Sequence, residues 1–201
     1  MKIYTRRGDG GTTSMYSGER VSKSSEVMAV LGAVDEAQAF LGVARAECAP
    51  DDALGDLLVG LERDLWILMA EIATTPGSAR AAGSATVDAA MIVRLEREID
   101  RATERSGEVA GFAVPGEARL PAALDVARTV VRRAERLAVG LDRTDSLVVT
   151  YLNRLSDLCW ALARASEESI RINEGARATI GRARASGGPT VTADETGETP
   201  S

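Results

Sequence analysis

The chain has 201 residues and a formal net charge of −6, with 45% hydrophobic residues, 3% aromatic residues and no histidine. That length suits one domain or two small ones, and the hydrophobic share can fill a core from Ala, Leu, Val and Ile, a composition that favours helix over sheet. The missing histidine excludes Ser/His and Cys/His catalytic pairs and His-ligated metals, and a lone pair of cysteines, Cys48 and Cys159, cannot build a CxxC-type zinc site.

Residues 1–24 lack helical periodicity and are rich in Gly, Thr, Ser and charge, which predicts an ordered or ligand-ordered loop. Lys2, Arg6, Arg7, Arg20 and Lys23 face only Asp9 and Glu19 there, so the segment carries +3 and the rest of the chain −9. A cationic N-terminus on an acidic body argues against general nucleic-acid binding and allows a local anion site. Within Thr5-Arg6-Arg7-Gly8-Asp9-Gly10-Gly11-Thr12-Thr13-Ser14, glycines let backbone N–H groups approach an anion while hydroxyls add donors. No GxxxxGK[ST] loop occurs, so this is not a Walker A site. A solvated N-terminal arm is the competing reading.

Five amphipathic helical patterns follow, at about 25–46, 53–73, 86–105, 119–139 and 145–172. The first has Val27, Met28, Leu31, Val34 and Leu41 on one stripe, with Asp35 at its border. A carboxylate there wants an arginine partner, and Arg128 is a candidate within the chain or across subunits. Residues 74–85 are a turn-rich linker, and residues 106–117 form a Gly-containing loop with Phe112 as its large aromatic. On the fourth helix Arg128, Arg132 and Glu135 lie within about 60° of one another, beside an apolar arc of Leu120, Leu124, Ala127, Val131, Ala134 and Ala138. That edge suits a cleft or a subunit interface, or else a surface ladder of ion pairs. The fifth helix places Asn153, Asp157, Trp160 and Arg164 on a polar side and Val148, Leu152, Leu155, Cys159 and Leu162 on an apolar one. Asn is unfavourable inside a helix and could read an adenine or ribose group, or the whole side could be solvated. Both cysteines fall in or next to apolar patterns and read as buried free thiols. The stretch 185–201 is acidic, small and aperiodic, which predicts a disordered tail after a domain of residues 1–184. No uninterrupted apolar run approaches about 18 residues and no secretory h-region is visible, so no membrane span and a cytoplasmic location are expected.

Three segments together resemble one family. KIYTRRGDGGTTSMYSGERVSK is similar to the N-terminal signature of the ATP:cob(I)alamin adenosyltransferases of the trimeric, propanediol-utilisation type, and ARTVVRRAER and YLNRLSD resemble its two later signatures in the same order. The resemblance implies an all-α, five-helix up-and-down bundle with an N-terminal nucleotide-binding loop, assembled as a homotrimer with ATP sites between chains. It implies that Thr5, Arg6, Arg7, Gly8, Thr13 and Ser14 wrap the triphosphate and that Lys23 neutralises it. Arg132, Arg133, Glu135 and Arg136 would contact ATP, with Arg132 on the phosphates and Glu135 near the sugar, and Asn153 would hold the nucleoside. Asp35 and Arg128 would pair to build the site between subunits, and Phe112 would sit beneath the corrin ring. ATP and cobalamin are the implied substrates, with Mg²⁺ on the phosphates and no metal-ligand set in the protein.

The chain departs from the family pattern at Asp35-Glu36-Ala37-Gln38, where DELN is common, and at Pro115-Gly116-Glu117, where Pro-Gly-Gly is common. It has Leu124-Asp125 where Leu-His is frequent, and Trp160 where Phe is usual. None of these changes touches the implied phosphate ligands. A rival expectation is a corrinoid escort that hands adenosylcobalamin to a dependent mutase; a second is a helical interaction module whose charged faces are merely solvated. A triphosphate loop favours the enzyme, because a pure carrier needs none.

Overall fold

The computed structural model describes residues 3–78, 85–109, 111–168 and 172, and the predicted tail lies outside them. Five helices form the body: α1 (Glu26–Ala46), α2 (Ala53–Ile72), α3 (Ala89–Ser106), α4 (Arg119–Val139) and α5 (Val148–Ala165). Their starts follow local chemistry. Asp52 accepts from Leu54 N and Asp88 from Met91 N, each satisfying an orphan donor of the first turn. Ser146 Oγ accepts from Val148 N at 3.2 Å and does the same for α5. Pro121 sits in the first turn of α4, where a missing N–H costs no helical bond.

α4 packs along α1 on one side and α5 on the other; α2 lies against α1, and α3 against α5. Leucines such as Leu41, Leu58, Leu65, Leu124 and Leu152 are fully buried, each contributing about 1.5–3 kcal/mol of transfer free energy. Between them Ala37, Ala44, Ala127 and Ala134 are also fully buried, small enough to let helix axes approach. A polar staple crosses this core. The Asp64 carboxylate of α2 accepts from Tyr151 Oη of α5 at 2.9 Å and pairs with Arg94 of α3. Burial and that carboxylate push the Tyr151 phenol well above its ordinary range.

The N-terminal segment contains two short antiparallel strands that the sequence reading placed in a loop, β1 (Thr12–Ser14) and β2 (Arg20–Ser22), with Thr13 opposite Val21. Three residues per strand are too few for a period-2 signal. Their turn is docked on the C-terminal end of α2: Tyr16 N donates to Ala73 O at 3.0 Å, Thr75 Oγ1 donates to Glu19 at 2.8 Å, and Met15 is buried. Arg143, after α4, donates to the terminal carbonyls of Glu71 and Ile72 at 2.8 Å each, capping the same helix end.

Three expectations change. α5 ends at Ala165 rather than near Ile172; Ser166 Oγ turns back onto Leu162 O, and Ile172 forms an antiparallel bridge with Ala113 in the loop of Phe112. The buried stripe of α1 is Val30, Ala33, Val34, Ala37, Leu41 and Ala44, with Val27 and Leu31 at its edge, because the alanines face its neighbours. α1 is also long and apolar enough by mean hydropathy to cross a bilayer, although no run within it is uninterrupted. Its six buried side chains fit its packing as a bundle helix against α2 and α4.

Candidate active site

The N-terminal loop forms a cavity of about 340 Å³ lined by Thr5, Arg7, Gly8, Thr12, Thr13, Ser14, Arg20 and Lys23. Tight turns make it. Asp9 N donates to Arg6 O at 3.3 Å, Gly11 N to Gly8 O at 3.2 Å, and Lys23 N to Gly11 O at 2.9 Å. Arg6 and Gly11 hold φ of 61° and 77°, the left-handed region that favours glycine. A Cβ on Gly8 would stand 3.0 Å from Lys23 Nζ, so the glycine leaves room for that ammonium. Three cations and several hydroxyls line this concavity, and no carboxylate does. Such a cluster repels itself until an anion arrives. Arg20 ties the loop together by donating to Arg7 O at 3.1 Å and to Thr12 Oγ1. Arg20 was not singled out as a site residue in the sequence; the hairpin sets it opposite Ser14, from where its side chain reaches Thr12.

The second half of the site runs along α4 and α5. Arg132 donates to Glu135 at 2.6 Å, and the other oxygen of Glu135 accepts from Asn153 Nδ2 at 3.0 Å. Asn153 in turn accepts from Arg154 at 2.8 Å, which also donates to Glu96 of α3 at 2.9 Å. Arg132 and Arg136 are exposed, and Arg136 donates to Arg132 O at 3.2 Å. Arg133 instead pairs with Glu36 of α1, away from this row.

One helical turn before Arg132, Arg128 borders a second cavity of about 340 Å³, with Phe112, Pro115, Asp125, Trp160 and Arg164. Phe112 is 59% exposed and free to meet a ligand. Arg164 is a correction to the polar face expected for α5: it is 2% exposed and pairs with Asp125 at 2.6 Å and Glu167 at 2.9 Å. Asp125, read in the sequence only as a departure from a common histidine, also accepts from Arg128 Nε at 3.3 Å. Burial outweighs the attraction of Arg164 and raises the Glu167 carboxyl. Cys159 is buried behind this row, and desolvation pushes its thiol up to about 12; Cys48 is partly buried and also raised.

Arg132, Glu135 and Asn153 are thus brought together, as are Phe112 and Arg128. The loop cavity has no lining residue from α4 or α5. Asp35 and Arg128 do not meet within one chain: Arg128 turns to Asp125, while Asp35 is exposed in a groove with Gln38, Arg45 and Trp66. Among the described residues no group of three or more acidic or cysteine side chains could hold a metal ion.

A helical bundle carrying an anion cradle and a polar helix face defines a nucleotide-binding protein with a second, aromatic-walled cavity. Residues 3–166 match the family model described as cobalamin adenosyltransferase, and the chain belongs to that family. It is 37% identical over 170 residues to the corrinoid adenosyltransferase PduO of Salmonella typhimurium, covering 83% of this chain but 50% of that protein. It is 36% identical to a corrinoid adenosyltransferase of Citrobacter freundii, covering 83% of this chain and 95% of that one. Among solved structures, a phenylalanine-to-alanine variant of the PduO-type ATP:corrinoid adenosyltransferase from Lactobacillus reuteri, complexed with cobalamin and ATP, superposes with a TM-score of 0.78 at 30% identity, covering 86% of this chain and 99% of that one. An arginine-to-lysine variant of that enzyme, complexed with ATP, gives 0.75 at 29% identity, covering 85% and 99%.

Proposed function

We propose that this protein transfers the 5′-deoxyadenosyl group of ATP to the cobalt of reduced cobalamin, releasing triphosphate. The observation that carries this reading is the row along α4 and α5. It sets a polar cluster of Arg132, Glu135 and Asn153 one helical turn from an aromatic cavity of Phe112 and Trp160. A nucleoside held by the first presents its 5′ carbon toward a flat apolar-faced acceptor held by the second. The electron pair of reduced cobalt forms the Co–C bond as the C5′–O bond breaks, and its electrons leave on the triphosphate. No protein nucleophile is needed, which fits a chain without histidine.

The residues supply position and charge. Lys23, Arg7 and Arg20 of the loop, with Thr5, Thr13 and Ser14, take the polyphosphate. Arg132, held by Glu135 until ligand binds, stabilises charge that accumulates on the leaving group. Mg²⁺ would be carried by the phosphate oxygens with the loop hydroxyls, since the loop cavity offers hydroxyls and no carboxylate. Phe112 would shield the lower face of the corrin from water and an axial ligand.

The active unit in this reading is a homotrimer, with the loop of one chain closing over α4 and α5 of the next. The separate cavities support it, as does α1. At about 100° per residue Met28, Leu31, Ala39 and Gly42 share a face with Asp35. That is a small, apolar, incompletely buried surface with one carboxylate, free to meet Arg128 of a neighbouring chain. The deciding experiment mixes the protein with ATP, Mg²⁺ and chemically reduced cobalamin. Adenosylcobalamin and triphosphate in equal amounts are expected; consumption of neither substrate would end the proposal.

A further inference from the structure

Arg164 is a buried cation that lines the Phe112 cavity and reaches α4, its own helix and the segment past that helix. Toward α4 it donates to Asp125, whose other oxygen accepts from Arg128. Toward its own helix its guanidinium lies 6.0 Å from the ring centroid of Trp160. Past the end of α5 it donates to Glu167, five residues before Ile172. Ile172 is bridged to Ala113, beside Phe112, and its side chain would stand 3.0 Å from a Cβ on Gly111.

We propose that Arg164 is a positioning residue for the corrinoid half of the site, fixing Arg128 through Asp125 and held in place itself by Glu167. A stability role alone explains this arrangement poorly. Among the described residues both Arg164 Nε and Glu167 Oε2 are buried without a hydrogen-bond partner, and an apolar side chain would avoid that cost. What an apolar residue cannot do is hold two carboxylates, one on α4 and one past the end of α5, in a fixed relation. The guanidinium nitrogen Nη2 does so by donating to both, at 2.6 and 2.9 Å, from within one rigid plane. Neither carboxylate needs to touch a substrate: Asp125 sets the place of Arg128, and Glu167 sets that of Arg164, which lines the cavity.

The proposal rests on the adenosyl transfer argued above, so wild-type turnover is measured first; its absence would count against that reading. Asp125→Asn and Glu167→Gln keep volume and remove one charge on each side of Arg164, and Arg164→Met removes the hub. Each variant is assayed for KM of ATP, KM and kcat with reduced cobalamin, and melting temperature. The electron paramagnetic spectrum of cob(II)alamin bound with ATP reports whether the lower nitrogen ligand still splits the cobalt lines. Both carboxamide variants should lose about tenfold or more in kcat/KM for cobalamin, as misplacement of reacting groups does, with KM for ATP near wild type. Both should also raise the share of bound cobalt that keeps its nitrogen ligand. Arg164→Met should combine the two defects, and if it does not fold the carboxamide pair decides. Lower melting temperatures with unchanged cobalamin kinetics and spectrum would overturn the proposal. A defect in Asp125→Asn without one in Glu167→Gln would also overturn it, since Glu167 would then not be what holds Arg164 in place.

Discussion

The N-terminal loop and the α4–α5 face both line cavities with arginines, but they hold them in opposite ways. In the loop, Arg7, Arg20 and Lys23 line an open cavity with no carboxylate among its walls, and glycines keep the backbone close. On the helices, Arg128 and Arg132 are already paired with Asp125 and Glu135 at fixed i,i+3 spacing, and the pairs are braced by Arg164 and Asn153. In the proposed reading the loop charges are left for the ligand to neutralise, whereas the helix charges are oriented before it arrives. The first arrangement favours affinity and salt dependence; the second favours geometry at the reacting centre.

Substitutions can break that comparison. The largest effect is expected for Arg132→Ala, with kcat falling about 100- to 1,000-fold, as for other donors to a developing charge. Single-turnover rates at saturating ATP would test it, and an unchanged rate would remove Arg132 from the chemistry. Phe112→Ala should lower turnover with cob(II)alamin and a weak reductant by about tenfold while leaving ATP affinity intact. Equal rates in that assay would refute the shielding role. Lys23→Ala should act the other way, raising KM for ATP about tenfold with little change in kcat, and its deficit should shrink at high salt. Gly8→Ala should give a milder form of the same defect, because its methyl group displaces the Lys23 ammonium.

Smaller effects concern the scaffold. Tyr151→Phe removes one hydrogen bond to Asp64 and should cost about 1 kcal/mol, or roughly 2–4 °C in melting temperature, without changing either KM. Smallest is a pH effect at Glu167. Burial raises its folded pKa, so the protonated form favours the fold. That contribution is complete below the ordinary carboxyl pKa of 4.5 and is lost as pH rises through the raised value. Glu167→Gln should therefore flatten this part of the melting-temperature profile, and an identical slope in both proteins would contradict the assignment.

Much of the architecture was readable from short-range signals. Asp52 announced the start of α2, the turn-rich linker 74–85 separated α2 from α3, and α4 appeared with the bounds the pattern predicted, Arg119 to Val139. The row of Arg128, Arg132 and Glu135 followed from helical spacing alone, because i,i+3 and i,i+4 geometry is local. Resemblance, not spacing, linked that row to the loop and to Asn153. The α1 stripe was misjudged because alanine is a weak signal in the sequence yet the preferred residue at a close helix contact.

The sequence by itself determined the helices, the cationic loop and the charged face of α4, since each depends on neighbours within a few residues. Only the tertiary structure decided which charges face solvent. Arg164 lies on the same helical side as Asn153, yet it is buried, because Asp125 of α4 and Glu167 beyond α5 close over it. A period can tell which residues share a face, but not what covers that face; burial and charge pairing belong to elements far apart in the chain.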